Sequence, residues 1–161
     1  MHRLFPMFVT GRGAVGLLIL RLVTGTAFML HGWPKIQNPL GWMDQPDAPS
    51  PVPGILQALA ALSEFGGGLA LVLGLLTPLA ALGIACTMVV ALAMVHLPHG
   101  DPFVSAPGRP SFELALGYLA NVILLLLIGP GVLSLDSLLF DSTRRSILDL
   151  WPQTAAPNLK V

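Results

Sequence analysis

Residues 54–97 read GILQALAALSEFGGGLALVLGLLTPLAALGIACTMVVALAMVHL, and Glu64 is the only Asp, Glu, Lys or Arg among them. A bilayer core about 30 Å thick is crossed by about 20 apolar residues in a helix. The stretch is therefore long enough for two crossings, and Thr77-Pro78 divides it near the middle. Proline suits the first turn of a helix, so the pair marks a tight turn between a span at 54–76 and a span at 78–97. Two further apolar runs lie outside it, at 13–33 and 112–133. Leu, Ala, Val and Ile dominate all four, without the period-two alternation of a membrane barrel. The expectation is an all-α integral membrane four-helix bundle: one domain over 1–161, with a short polar C-terminal tail at 134–161.

The connections fix the expected topology. The first loop holds Pro34, Pro39, Pro46, Pro49, Pro51 and Pro53, and the third, 98–110, is broken in the same way. Both long loops fall on one side of the bilayer, with the termini and the short turn on the other. The terminal side carries Arg3, Arg12, Arg144, Arg145 and Lys160; the loop side carries Lys35 and Arg109 together with Asp44, Asp47 and Asp101. The positive-inside rule then places both termini in the cytoplasm, giving a multi-pass protein of the cytoplasmic membrane. Trp33, Trp42 and Trp151 fall at or just beyond span ends, as interfacial tryptophans do.

Composition narrows the function classes. The chain is 54% apolar and 10% charged, with a mean hydropathy of +0.78, whereas soluble domains carry about 25% charged residues. Lys plus Arg equal Asp plus Glu at eight each, which leaves no basic face for nucleic acid. Cys86 is the single cysteine. It excludes an intrachain disulfide or a multi-cysteine metal site, and in its apolar run it reads as a small buried hydrophobe. Arg3 and Arg12 before an apolar run suggest a signal peptide. Arg21 interrupts that run, which continues beyond it, so the first helix is expected to remain uncleaved.

Charges inside spans are costly and need partners. Measured along the expected spans, Glu64 lies about 15 Å below the outer end of its helix, Arg21 about 18 Å and Asn121 about 14 Å. These depths predict a structural Arg21–Glu64–Asn121 network across three helices. Arg21, Thr24, Phe28, His31 and Lys35 share one face of the first helix, as do Glu64, Gly67, Gly68 and Leu71 on the second and Glu113, Gly117 and Asn121 on the fourth. The run Gly66-Gly67-Gly68 reads as a helix-packing surface. His31, His96 and Glu113 fall near one boundary plane, with His99 and Asp101 just after His96. They are the catalytic candidates, able to relay protons to a bound quinol. A metal is the lesser reading, since no close-spaced motif such as HExxH exists.

Taken in order, these residues resemble the DoxX family of small four-helix membrane proteins. The resemblance rests on Arg21, on His31-Gly32-Trp33-Pro34-Lys35, and on Glu64 with Phe65-Gly66-Gly67-Gly68. It continues through Gly74-Leu75-Leu76-Thr77-Pro78, Glu113, and Gly129-Pro130-Gly131-Val132-Leu133-Ser134-Leu135-Asp136. It covers roughly 14–140, and the extended proline-rich first loop is where this chain departs from it. It implies a cytoplasmic-membrane oxidoreductase or a subunit of a redox assembly, the family's name coming from thiosulfate-to-quinone electron transfer. Its characteristic positions are Arg21, His31, Lys35, Glu64, Glu113 and Asp136. No haem, flavin or iron–sulfur motif is present, so a quinone is the cofactor to consider and electrons would pass to a partner enzyme. A non-enzymatic scaffold subunit and a small proton-coupled transporter, active as a homo-oligomer, are the alternatives.

Overall fold

In a computed structural model, residues 8–45, 50–105 and 107–140 are described. Arg3, Asp47, Arg144, Arg145, Trp151 and Lys160 lie outside these residues. The described chain forms α1 (Gly11–Gln37), α2 (Gly54–Leu73), α3 (Thr77–His99), α4 (Glu113–Ile128) and a short α5 (Leu135–Phe140). The chain is all-α, and α1, α2 and α3 are long and apolar enough to cross a membrane. Large apolar side chains such as Ile19, Leu30, Leu62, Leu79 and Leu127 are exposed around the outside, as a lipid solvent requires.

Three expected boundaries shift by three residues or more. The second span ends at Leu73 rather than 76. The first span continues past Trp33, carrying Pro34 within its last turn, to Gln37. The fourth helix stops at Ile128 rather than 133, because Gly129 and Gly131 take positive φ (84° and 75°) around Pro130. At 16 residues α4 is shorter than the other three spans.

The helices follow one another around the bundle: α1 packs on α2, α2 on α3, and α3 on α4. The α1–α2 contact is a glycine seam. A Cβ on Gly25 would stand 2.6 Å from Gly68 O, and one on Gly32 would stand 2.5 Å from Phe65 N. Gly67 faces Ile84 of α3, so the glycine run packs helices on both of its sides. The α1–α4 edge is the thin one, closed by Phe28 and Tyr118 with ring centroids 4.9 Å apart.

The short turn between α2 and α3 is built by hydrogen bonds. Leu75 N–H donates to Ala70 O and Gly74 N–H to Leu71 O, with Gly74 left-handed at φ 66°: a Schellman ending. Leu76 is left-handed as well, at φ 48°, and caps α3 with a side chain that cannot accept a hydrogen bond. The cap comes from elsewhere in the chain, as shown below. We call this the turn end of the bundle, and the opposite one the loop end.

Candidate functional site

The buried polar residues gather at two places. At the turn end Arg21, 1% exposed, donates from Nη1 to Pro130 O and from Nη2 to Leu133 O, each at 2.7 Å. These carbonyls belong to the irregular segment that ends α4. Backbone without helical partners is tolerated at membrane depth only where protein satisfies it, and the guanidinium fork does so. Gly74 leaves room for it: a Cβ there would meet Arg21 Nη1 at 2.5 Å. Asp136 completes the knot. Its carboxylate accepts from Leu76 N–H (2.6 Å) and Thr77 N–H (2.8 Å), and its own N–H donates to Gly74 O at 2.8 Å. An anion thus caps the N-terminus of α3 from 60 residues away.

At the loop end, Lys35 Nζ donates to both oxygens of Glu64, at 2.5 and 2.6 Å. The third side of the ammonium faces the Trp42 ring, 4.5 Å from its centroid. Trp42 Nε1 donates to Gln57 O, Gln57 Oε1 accepts from Met43 N–H, and Gln57 Nε2 donates to Val52 O. The loop therefore folds down as a cover over the pair, pinned by one buried glutamine.

This pairing replaces the expected Arg21–Glu64–Asn121 network, for two reasons. Gly32 faces Phe65 while Arg21 faces Gly74, so Glu64 and Arg21 sit about ten residues, or about 15 Å, apart along the axis. The depth estimate failed because the helix ends are staggered: α2 extends past the end of α1 at the loop end. Direction adds to the separation. Side chains lean toward their own helix N-terminus, so in these antiparallel helices Arg21 reaches toward the turn end and Glu64 toward the loop end. Lys35 leans back down α1 and meets it.

Asn121 belongs to a third feature. It lines a groove of about 370 Å³ with Ser111, Glu113, Leu114, Gly117 and Tyr118, all but Ser111 on α4. Glu113 is exposed in the first turn of α4, where a helix N-terminus favours an acid. A Cβ on Gly117 would meet nothing within 4 Å. Among the described residues, Glu113, Tyr118 and Asn121 make no side-chain hydrogen bond. His31 lies across the thin edge, its ring 6.2 Å from that of Tyr118.

His96 takes a different partner, Asp101, with Nδ1 to Oδ2 at 2.7 Å. Among the described residues no three His, Cys, Asp or Glu side chains form a group that could hold a metal ion. The three catalytic candidates thus divide: His31 and Glu113 flank the groove through Tyr118, and His96 belongs to a dyad. Cys86 is exposed on α3 rather than buried.

The DoxX family model matches residues 16–97. An Escherichia coli (strain K12) protein named "Inner membrane protein YqjF" is 34% identical over 125 residues, 78% of this chain and 92% of that protein. A Bacillus subtilis (strain 168) protein named "Putative oxidoreductase CatD" is 32% identical over 126 residues, 78% of this chain and 88% of that one. The chain belongs to the DoxX family. It is a protein of the inner (cytoplasmic) membrane. No solved structure matches it.

Within this DoxX protein, the turn-end knot uses three separated motifs: Arg21, the Gly74–Thr77 turn and the Gly129–Asp136 run. Sequence reasoning missed Gln57 and Tyr118, and it placed Trp42 at the interface and Asp101 beside His96 without pairing Trp42 with Lys35, Lys35 with Glu64 or Asp101 with His96. The knot left no signal at the start of α3, because Thr77 before Pro78 reads as an ordinary N-cap; in the structure the cap position falls on Leu76, and Thr77 Oγ1 is buried without a hydrogen-bond partner among the described residues.

Proposed function

We propose that this DoxX protein is a quinol-interacting component of a membrane redox system, with the α4 groove as its working surface. The observation that carries the reading is the unpaired polar stripe of Glu113, Tyr118 and Asn121, set in an otherwise apolar helix and open sideways. Polar groups facing lipid are costly without partners. A hydroquinone head group, which reaches proteins laterally through the bilayer, offers hydroxyls to such donors and acceptors. The stripe runs about 12 Å inward from Glu113 to Asn121, ending in a carboxylate at the loop end that can take a proton.

In this reading the loop end faces the outside, in keeping with the charge bias of the described loops. The groove binds and orients the quinol, and Glu113 accepts protons. The electrons pass to a one-electron acceptor on a partner protein. The name of the Bacillus subtilis relative, "Putative oxidoreductase CatD", is in keeping with it. The Lys35–Glu64 pair is closed by Trp42 and held outside this chemistry.

Photolabelling with an azido-quinone in lipid nanodiscs tests the reading. Label is expected on α4 peptides, competed by excess decylubiquinol and reduced several-fold in Asn121→Leu and Tyr118→Phe. Label spread evenly over all spans, with no competition, contradicts it. A scaffold role is the second reading, favoured by Gly117, since a small residue beside a polar one also suits a partner helix. In that case a partner co-purifies through α4 and Gly117→Leu releases it.

A further inference from the structure

The strongest cluster outside the groove lies at the loop end of α3. There the helix widens into a π turn, Leu92–His96, a feature often found at functional sites. It stops after His99, where Gly100 turns left-handed at φ 64°. The chain reverses at once: Asp101 N–H donates to His96 O at 3.1 Å, and Asp101 Oδ2 lies 2.7 Å from His96 Nδ1. The Asp101 side chain is 8% exposed and that of His96 19%. A carboxylate only accepts, so a neutral imidazole keeps its proton on Nδ1 and leaves the Nε2 lone pair free. Carboxylates behind histidines hold a base in one tautomer and one orientation.

The dyad is tied to the mouth of the groove. Phe112 N–H donates to Pro102 O at 3.2 Å, and the Phe103 and Phe112 rings meet at 5.4 Å. Pro102 follows Asp101, and Phe112 precedes Glu113. One short connection thus joins the histidine's carboxylate to the start of α4.

We propose that His96, held by Asp101, accepts protons from Glu113 at the groove mouth and releases them to water at the loop end. This rests on the quinol reading above. In the step, the O–H bond of protonated Glu113 breaks, water at the loop end carries the proton because the two side chains share no hydrogen bond, and an N–H bond forms at His96 Nε2. The imidazolium keeps its Nδ1–H on Asp101, and loss of the Nε2 proton to water restores the start. No electron moves. Of the other titratable or charged groups at this end, His31 faces Tyr118 across the groove, Lys35 and Glu64 are paired to each other, His99 turns its Nδ1 to Val95 O at 2.5 Å, and Arg109 is exposed on the loop. Asp101 acts as a positioning residue.

The full chain in nanodiscs, with decylubiquinol as donor and ferricyanide as oxidant, provides the test. Two ferricyanide ions take the two electrons and two protons leave to the medium. His96→Ala is expected to slow turnover about tenfold with azido-quinone labelling unchanged, and added imidazole to restore it. Asp101→Asn is expected to slow it less and to shift the pH profile. A His96→Ala protein with wild-type rate and pH profile overturns the proposal, as does a slow one that imidazole leaves slow. If the wild type is labelled and active while His96→Ala is unchanged, only the dyad falls. If the wild type is neither labelled nor active, the quinol reading falls and the dyad with it. Nitrogen-15 histidine spectra remain decisive where His96→Ala does not fold. The Nδ1–H tautomer at His96 is expected, and an Nε2–H tautomer overturns the proposal.

Discussion

The two ends of this bundle each hold a cation, buried at one and half-buried at the other, and they use it differently. At the turn end Arg21 has no acidic hydrogen-bond partner among the described residues; its two bonds there go to backbone carbonyls of a broken segment, in a pocket shaped by Gly74. At the loop end Lys35 meets a carboxylate directly, under a tryptophan, with its side chain still 23% exposed. The difference follows from the chemistry of the two cations. A planar fork can satisfy two carbonyls at fixed positions, whereas a flexible ammonium serves as a point charge. The turn end is a knot that makes irregular backbone tolerable inside the bundle. The loop end is a latch that fastens a loop, and the polar stripe nearby is left open.

The largest effect is expected from removing the fork. Arg21→Met should cost about 3–5 kcal/mol, as for other broken buried charge networks, read as a lost or much lowered thermal transition in detergent. Arg21→Lys should recover only part, since one ammonium cannot hold both carbonyls. Asp136→Asn comes next, at about 1–3 kcal/mol. It replaces an anion that accepts from two N–H groups by an amide with one accepting oxygen, and protease nicking near the α2–α3 turn would report it. Gly68→Ala should cost about 1–3 kcal/mol, because its new Cβ would stand 2.7 Å from Gly25 O and 2.8 Å from Met29 N; cysteine cross-linking rates between α1 and α2 would show the seam opening. The smallest effect is expected at the latch. The double change Lys35→Met with Glu64→Leu should stay within about 1 kcal/mol of wild type, since a pair replaced by packed apolar groups is often neutral. If the double change unfolds the protein while Arg21→Met does not, the comparison is reversed.

Much of the fold was legible because lipid imposes a plain rule: apolar runs, proline-rich connections and the Thr77-Pro78 turn declare the helices. The partners of Arg21 and Glu64 were not legible from depth. A depth count sets the outer ends of all spans level, and neither the stagger of α1 against α2 nor the opposed lean of side chains on antiparallel helices enters it. The glycines at 25, 32 and 68 carry that register, and they would have signalled it had they been paired across the hairpin. Of the groove and its flank, Glu113 and His31 were readable as candidates, whereas Asn121 was assigned to the Arg21–Glu64 network rather than to the groove. Tyr118 was not readable, because an aromatic in a span reads as core; Asp101 was read beside His96, but its bond to that ring was not, because it depends on a reversal at Gly100.

A double-mutant cycle on Arg21 and Glu64, set beside one on Lys35 and Glu64, tests the division of the two ends most directly. Thermal or chemical unfolding of Arg21→Lys, Glu64→Gln, Lys35→Met and the two doubles supplies the numbers. Sites this far apart should be additive within about 0.5 kcal/mol for Arg21 and Glu64, while the contacting Lys35 and Glu64 should couple by about 1 kcal/mol or more. Coupling above about 1 kcal/mol between Arg21 and Glu64, with none between Lys35 and Glu64, would contradict the account.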